Sequence, residues 1–97
     1  MPNYTLTNKA LEDLSQIWDY TFEVWSEAQA DKYYYMLLHA CEELGAETAT
    51  GRKYPEINKE IFGYKIGQHI IFYRQLRSKR IEVARILHSR MDLKSKL

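Results

Sequence analysis

Cysteine and long apolar runs are both scarce in this 97-residue chain. Cys41 is the single cysteine, so no disulfide forms within the chain, and no cluster of cysteine and histidine indicates zinc. No apolar run approaches the roughly 18 residues of a membrane-spanning helix. Residues 1–5 have neither the basic nor the apolar region of a secretory signal. We therefore expect a cytoplasmic protein without a metal, a cofactor or a membrane segment.

Charge is distributed unevenly along the chain. Residues 1–51 hold two lysines or arginines against nine aspartates or glutamates, a net charge of −7. Residues 52–97 hold twelve against four, a net charge of +8. This split predicts a basic surface that meets an acidic partner or nucleic acid, unless the two halves neutralise each other within the fold. The length predicts a single domain over residues 1–97.

Two amphipathic helices are predicted in the first half, after a short strand at residues 3–6. Thr7 is the predicted N-cap of the first helix, and Ser26 begins a capping box, Ser-Glu-Ala-Gln, that starts the second. Gly45 weakens the second helix, which we expect to end within a few residues. The two helices have apolar stripes at three- and four-residue steps: Ala10, Leu11, Leu14, Ile17, Trp18, Thr21, Phe22 and Trp25 in the first, and Ala30, Tyr33, Tyr34, Leu37, Cys41 and Leu44 in the second.

The second half is predicted to contain strands. Residues 47–56 have turn residues without a period and are predicted to be a loop. Apolar runs at 61–66, 69–76 and 80–87 follow, joined by short turns, which predicts an antiparallel meander.

The fold class is therefore α+β, an N-terminal helical hairpin packed on one face of a small, mainly antiparallel sheet. We expect the helices to meet Ile71, Val83 and Leu87. The other face of the sheet should be exposed or covered by a partner, because both faces carry large apolar residues.

The last predicted strand ends in ionisable residues. His88, Arg90 and Asp92 follow the apolar run at the point where the strand must stop. A strand that brings polar groups to the edge of a sheet is a common way to build a site, although strand ends are often polar for no functional reason.

The order of these features resembles the ParE toxins of the RelE/ParE superfamily of type II toxin–antitoxin systems. The resemblance extends from Tyr4 to Asp92. The matching features are Tyr4-Thr5-Leu6-Thr7, Ala10, Asp13-Leu14, Trp25-Ser26-Glu27-Ala28-Gln29-Ala30, Gly51-Arg52, His69-Ile70-Ile71-Phe72-Tyr73 and Arg85-Ile86-Leu87-His88-Ser89-Arg90-Met91-Asp92.

The resemblance implies a toxin that inhibits bacterial DNA gyrase and is neutralised by the C-terminal segment of a cognate antitoxin. It implies neither an enzyme with catalytic residues nor a small-molecule substrate. Our candidates for toxicity and target binding are Arg52, Arg85, His88, Arg90 and Asp92. For antitoxin binding we predict the exposed side of the hairpin and sheet, including Tyr34, Tyr64, Phe72 and Tyr73.

Two alternatives remain open at this point. The first is a RelE-like, ribosome-dependent messenger-RNA interferase, which would need groups for acid–base catalysis and phosphorane stabilisation. Its candidates would be Lys65, Arg74, Arg85, His88 and Arg90, but Ile70 stands where that subfamily would have an arginine. The second is a nucleic-acid-binding module that uses the basic half, although RNA-binding signatures and a recognition helix are absent from the sequence.

Overall fold

A computed structural model describes residues 3–91 of the chain. Its elements are β1 (Tyr4–Leu6), α1 (Asn8–Val24), α2 (Glu27–Gly45), β2 (Arg52–Lys53), β3 (Phe62–Ile66), β4 (His69–Gln75) and β5 (Ile81–His88), with a short turn at Arg77–Lys79 before β5. Within these residues the strands form one five-stranded sheet in the order β1-β5-β4-β3-β2. β1 pairs parallel to β5, and all other pairs are antiparallel.

The α+β prediction is confirmed, and both helix caps form as the sequence indicates. The side chain of Thr7 accepts a hydrogen bond from the backbone N–H of Ala10 at 3.1 Å, and that of Ser26 accepts from Gln29 at the same distance. Thr7 also joins the helix to the sheet, because its hydroxyl donates to the Ala84 carbonyl at 2.7 Å. The helix therefore starts where the chain leaves β1, directly against β5.

Gly45 is required because the backbone of Asn3 lies very close to it, and not only because the helix ends there. A Cβ atom at this position would lie 2.8 Å from the backbone oxygen of Asn3, which is closer than van der Waals contact permits. The last turn of α2 therefore packs directly on the backbone that leads into β1.

The sheet contains a β-bulge that the sequence analysis did not predict. Phe72 pairs with Arg85, but the next residue, Tyr73, pairs with Val83, so Ala84 has no partner across the ladder. One extra residue reverses which side chains of the following strand face the helices. Ile86 consequently packs in the helix-facing core with Val83, and Leu87 packs on the other face. The prediction that Leu87 meets the helices is wrong for this reason.

The second face of the sheet is covered by the chain itself. Tyr54, Ile57 and Ile61, from the connection after β2, pack against strand residues that include Phe72. The expectation that this face is exposed or covered by a partner is therefore wrong. The same packing buries Phe72 completely, and Tyr73 is only 3% exposed in the helix-facing core. These two residues do not lie on an exposed surface, contrary to the prediction.

Two smaller corrections concern the edges of the fold. Arg52–Lys53 forms the short edge strand β2 rather than part of a loop, because the two residues pair with Gly63 and Phe62. Leu11, predicted to be in the inner stripe of α1, is 49% exposed. Among residues 3–91, no helix combines the length and the apolar character that a membrane span requires.

Candidate functional site

A cleft of about 500 Å³ lies between α1 and the C-terminal end of β5. It contains the end of the chain that the sequence analysis selected, together with one side of α1 and the first residue of β4. Its lining residues are Asp13, Gln16, Ile17, Tyr20, His69, Arg85, Ile86, Leu87, His88, Arg90 and Met91.

The floor of the cleft is a buried ion pair between α1 and β5. Nε and Nη2 of Arg85 donate to the two carboxylate oxygens of Asp13 at 2.8 and 2.9 Å. The backbone N–H of Ile86 donates to the same carboxylate at 3.0 Å. Asp13 is only 8% exposed, so these bonds compensate for the loss of its hydration. The hydrogen bond to Asp13 raises the pKa of Arg85, which keeps its charge fixed.

The ion pair lies directly beside the β-bulge. Since Ala84 is the extra residue of β5, Arg85 and Ile86 are displaced by one position relative to an unbroken ladder. Both of these residues bond to the same carboxylate on α1. Bulges are common next to functional sites.

Two histidines form one wall of the cleft. His69 and His88 are direct partners across β4 and β5, and their ring centroids are 5.4 Å apart. The Tyr33 hydroxyl lies 2.6 Å from Nδ1 of His69 and accepts the Gln68 N–H at 3.0 Å. The direction of the bond between the Tyr33 hydroxyl and Nδ1 depends on the tautomer of His69.

The environment of His69 favours the neutral form of its imidazole. Burial and, to a smaller extent, the nearby His88 together lower its pKa from 6.5 to about 4, against a smaller opposing effect of Asp13. An imidazole with so low a pKa is a weak base at neutral pH. It is therefore poorly suited to removing a proton from a substrate.

The rim of the cleft is more exposed than its floor and carries the side chain of Arg90. The backbone N–H of Arg90 donates to Nδ1 of His88 at 3.2 Å, which ties the turn after β5 to the histidine wall. The Arg90 side chain itself is exposed, as is that of Met91. Arg90 and Met91 therefore present a cation and an apolar group side by side to any macromolecule that approaches the cleft.

The structure brings together only some of the predicted toxicity residues. Arg85, His88 and Arg90 all line the cleft. Arg52 does not lie near them, because it is on β2 and three strand spacings, about 14 Å, separate it from Arg85. It covers the ring of Tyr54 at 3.7 Å and pairs with Glu56 at 3.4 Å. Asp92 lies outside the described residues.

Sequence reasoning missed three contributors to the cleft: Asp13, His69 and Tyr33. Asp13 was predicted to lie on the polar face of α1 and was otherwise named only in the family motif, but it is buried at 8% exposure. His69 is brought opposite His88 by the bulge, and an unbroken antiparallel register would instead pair it with residue 87. Among residues 3–91, no group of three or more histidine, cysteine or acidic side chains is placed to hold a metal ion.

The RelE-type candidates are divided between the two faces of the sheet. Arg85, His88 and Arg90 line the cleft, whereas Lys65 pairs with Ile70, whose side chain packs on the opposite face. Arg74 lies at the far end of β4 and is paired with Glu82. These five residues therefore do not form one constellation.

Comparison with known proteins identifies the family. The family model for the ParE toxin of the parDE type II toxin–antitoxin system matches residues 4–93. The chain belongs to the ParE toxin family. A toxin named ParE1 from Mycobacterium tuberculosis is 37% identical over 90 residues, which cover 93% of this chain and 92% of the relative. A second ParE1 toxin, from Caulobacter vibrioides, is 32% identical over 100 residues and is covered over 99% of its length.

A solved structure of a relative supports the fold. A chain from the chromosomal ParDE toxin–antitoxin system of P. aeruginosa superposes with a TM-score of 0.73 and 22% identity, covering 91% of this chain and 96% of that one. At this level of identity the similarity demonstrates the shared fold. This ParE chain is thus a toxin of the type II class, with the cleft and the hairpin placed as described above.

The buried ion pair predicts a large effect of neutralising Asp13. Asp13→Asn keeps an oxygen that accepts from Ile86 but removes the charge that pairs with Arg85. We expect the free energy of unfolding to fall by about 2–3 kcal/mol, because one member of a buried ion pair loses its partner's charge. Urea denaturation followed by tryptophan fluorescence measures this change.

The exposed pair between Arg74 and Glu82 provides the matched control. Glu82→Gln removes one carboxylate from a pair that lies largely in solvent, and we expect a loss below about 1 kcal/mol. Equal losses for Asp13→Asn and Glu82→Gln would contradict the special role given to the buried pair.

The neutral state of His69 predicts a pH-dependent stability. Its pKa is lower in the folded chain than in the unfolded chain, so the unfolded state takes up a proton first as the pH falls below 6.5. We expect the stability to be complete above pH 6.5 and to fall by roughly 1–2 kcal/mol between pH 7 and pH 5, after allowing for solvent screening. Urea midpoints at these two pH values test the effect.

Two substitutions assign this pH dependence to one histidine. His69→Gln should flatten the difference between pH 7 and pH 5, since glutamine does not titrate. His39→Gln, at an exposed position on α2, should retain the difference seen in the unmodified chain. Identical pH profiles for His69→Gln and the unmodified chain would show that the account of His69 is wrong.

Proposed function

We propose that this ParE toxin inhibits bacterial DNA gyrase by binding it as a protein, through the cleft and its rim. The observation that carries the proposal is membership of the ParE family, for which gyrase inhibition is the implied activity. The rim supplies the chemistry for such contact, because Arg90 is an exposed guanidinium beside the exposed apolar Met91. Arginine next to apolar side chains is typical of strong protein–protein contacts.

The chemistry of the cleft supports an inhibitor rather than a nuclease. A ribonuclease needs a general base and an acid whose pKa values suit neutral pH. His69 is held neutral with a pKa of about 4, and Arg85 is engaged by Asp13. Of the other basic candidates, Lys65 and Arg74 are directed away from the cleft, which leaves His88 and Arg90 in it. The described side chains of the cleft are therefore better suited to binding another protein than to catalysis.

We further propose that a cognate antitoxin neutralises the toxin by covering the helical hairpin. α1 has two sides: one lines the cleft, and the other lines a groove of about 300 Å³ against α2. This hairpin groove contains Leu11, Leu14, Ser15, Trp18, Asp19, Asp31, Tyr34 and Tyr35.

Beyond the groove, further apolar side chains of the hairpin are exposed to solvent. Phe22, Val24 and Trp25 are exposed at its tip, with Trp25 at 73%. A contiguous apolar strip of this kind is typical of a surface that binds another protein. The solved relative belongs to a ParDE toxin–antitoxin system, which supports an antitoxin as the occupant.

The gyrase proposal predicts that the cleft rim carries toxicity. Unmodified toxin should inhibit supercoiling of relaxed plasmid and lead to accumulation of linear DNA trapped by detergent and protease. The pair of changes His88→Ala and Arg90→Ala should raise the inhibitory concentration at least tenfold, or about 1.4 kcal/mol, by removing an imidazole and an exposed guanidinium from the contact. Circular dichroism checks that the variant is folded.

A matched variant controls for charge and surface changes. Lys32→Ala with His39→Ala removes one cation and one histidine from exposed positions on α2, and it should inhibit as the unmodified toxin does. A folded cleft variant with full potency would exclude the cleft as the site. Absence of inhibition by folded toxin in large excess, with ribosome-dependent cleavage of messenger RNA instead, would overturn the gyrase proposal.

The antitoxin proposal is tested by titration calorimetry with the antitoxin encoded beside the toxin. Tyr34→Ala should weaken binding at least tenfold because Tyr34 lines the hairpin groove, and Tyr64→Ala tests the predicted extension onto the sheet. Tyr20→Ala is the control, since this exposed tyrosine lines the cleft on the other side of α1. Unchanged affinity in Tyr34→Ala, or an equal loss in Tyr20→Ala, would contradict the assignment.

A further inference from the structure

The end of the sheet opposite the cleft is strongly basic. β4 ends and β5 begins there, and the connection from β2 to β3 passes beside them. We call this surface the basic end and define it by six cationic residues: Lys53, Lys59, Arg74, Arg77, Lys79 and Arg80. Five of the six are exposed, and Arg80 is half-buried. Glu60 and Glu82 are the carboxylates beside them.

Most of this charge is not neutralised within the described part of the chain. Among residues 3–91, Glu82 pairs with Arg74, and none of the other five cations forms an ion pair. Six of the twelve lysines and arginines of the second half therefore lie at this end of the sheet, beside two carboxylates. The two halves do not simply neutralise each other within the fold.

The turn that presents three of these cations has an unfavourable backbone. Arg77 to Arg80 forms a tight turn closed by the Arg80 N–H and the Arg77 carbonyl at 3.4 Å. Its two central residues, Ser78 and Lys79, have φ values of +62° and +60°. Asn-Gly is the sequence that such a turn favours, and other residues with this backbone conformation destabilise the fold by about 1 kcal/mol or more each. The strained backbone thus holds a run of cations in solvent.

We propose that the basic end contacts the phosphate backbone of duplex DNA while the cleft engages gyrase. The inference rests on the proposed function, since gyrase poisoning places the toxin beside DNA that the enzyme holds. From β5 to β2 the surface is about 14 Å wide, and duplex DNA of that length carries about eight phosphate charges. Several lysines and arginines therefore meet phosphates at once.

The composition of the surface favours DNA over an acidic protein segment. A protein ligand is usually held by aromatic or large apolar anchors in a pocket. The depression at the basic end, of about 460 Å³, has Leu76 as its exposed large apolar residue, and the Phe62 that also lines it is half-buried. Its polar lining residues are Lys53, Lys59, Glu60, Arg74 and Gln75. The three cations among them are long and flexible, which suits phosphates whose positions follow a helix rather than a fixed pocket.

Fluorescence anisotropy with a labelled 20-base-pair duplex of arbitrary sequence tests the proposal without gyrase. The affinity is measured from about 50 to 200 mM salt, since each phosphate contact contributes about 0.9 to the slope of log K against log salt. Arg77→Gln with Lys79→Gln should weaken binding about tenfold at 50 mM salt and reduce the magnitude of the slope by up to about 1.8.

A second pair of substitutions separates this surface from overall charge. Lys32→Gln with Lys65→Gln also removes two exposed cations, one on α2 and one on β3 near the other end of the sheet. This variant should keep the slope of the unmodified toxin. Equal changes in the two variants, or no binding by unmodified toxin at 50 mM salt, would overturn the proposal.

Two further measurements keep the result interpretable. Ser78→Asn with Lys79→Gly introduces the sequence that the turn favours, so this variant should be at least as stable as the unmodified toxin, with a slope smaller by about 0.9. If Arg77→Gln with Lys79→Gln loses antitoxin affinity but not DNA affinity, the partner is an acidic protein and the proposal is wrong. The supercoiling assay tests gyrase inhibition separately. If the toxin does not inhibit gyrase, the anisotropy measurement still decides whether the basic end binds DNA.

Discussion

A buried carboxylate on the first helix holds the last strand in place. Asp13 accepts two bonds from the Arg85 guanidinium and one from the Ile86 N–H, all within 3.0 Å. These bonds come from the two residues that follow the bulge at Ala84, and the hydroxyl of Thr7, the cap of the same helix, donates to the carbonyl of Ala84. The helix and the strand therefore fix each other at two adjacent points, and every side chain beyond the bulge has its direction set there.

This constraint explains which parts of the fold the sequence could predict. Helices α1 and α2 follow from apolar periodicity and from the caps at Thr7 and Ser26, which are local signals. The contacts of the bulge are not local, because Arg85, the residue after it, bonds to a carboxylate 72 positions away. Leu87 was consequently assigned to the wrong face. The two-residue strand β2 was missed because it is too short to show a period.

The candidate site was predictable to a similar extent. His88 and Arg90 were found because they follow the apolar run where the strand ends, and Arg85 because it belongs to the family motif; the structure places all three in one cleft. Arg52 was grouped with them by sequence motif, but strand order separates it by the width of the sheet. His69 and Tyr33 were missed since their contact joins β4 to α2, 36 residues apart, and no pattern along the chain reveals it.

The described surfaces lie in different parts of the molecule. One side of α1 lines the cleft, its other side lines the hairpin groove, and the basic end lies at the opposite end of the sheet. Our proposals assign these three separate surfaces to the target, to the antitoxin and to the nucleic acid beside the target. The central claim among these is that gyrase binds at the cleft.

Photocrosslinking tests the central claim most directly. A benzophenone amino acid placed at Gln16, an exposed position in the cleft, should crosslink to gyrase in a complex that also inhibits supercoiling. The same group at Lys32, exposed on α2, should give no crosslink. Crosslinking from position 32 but not from position 16, by a toxin that still inhibits gyrase, would contradict the account.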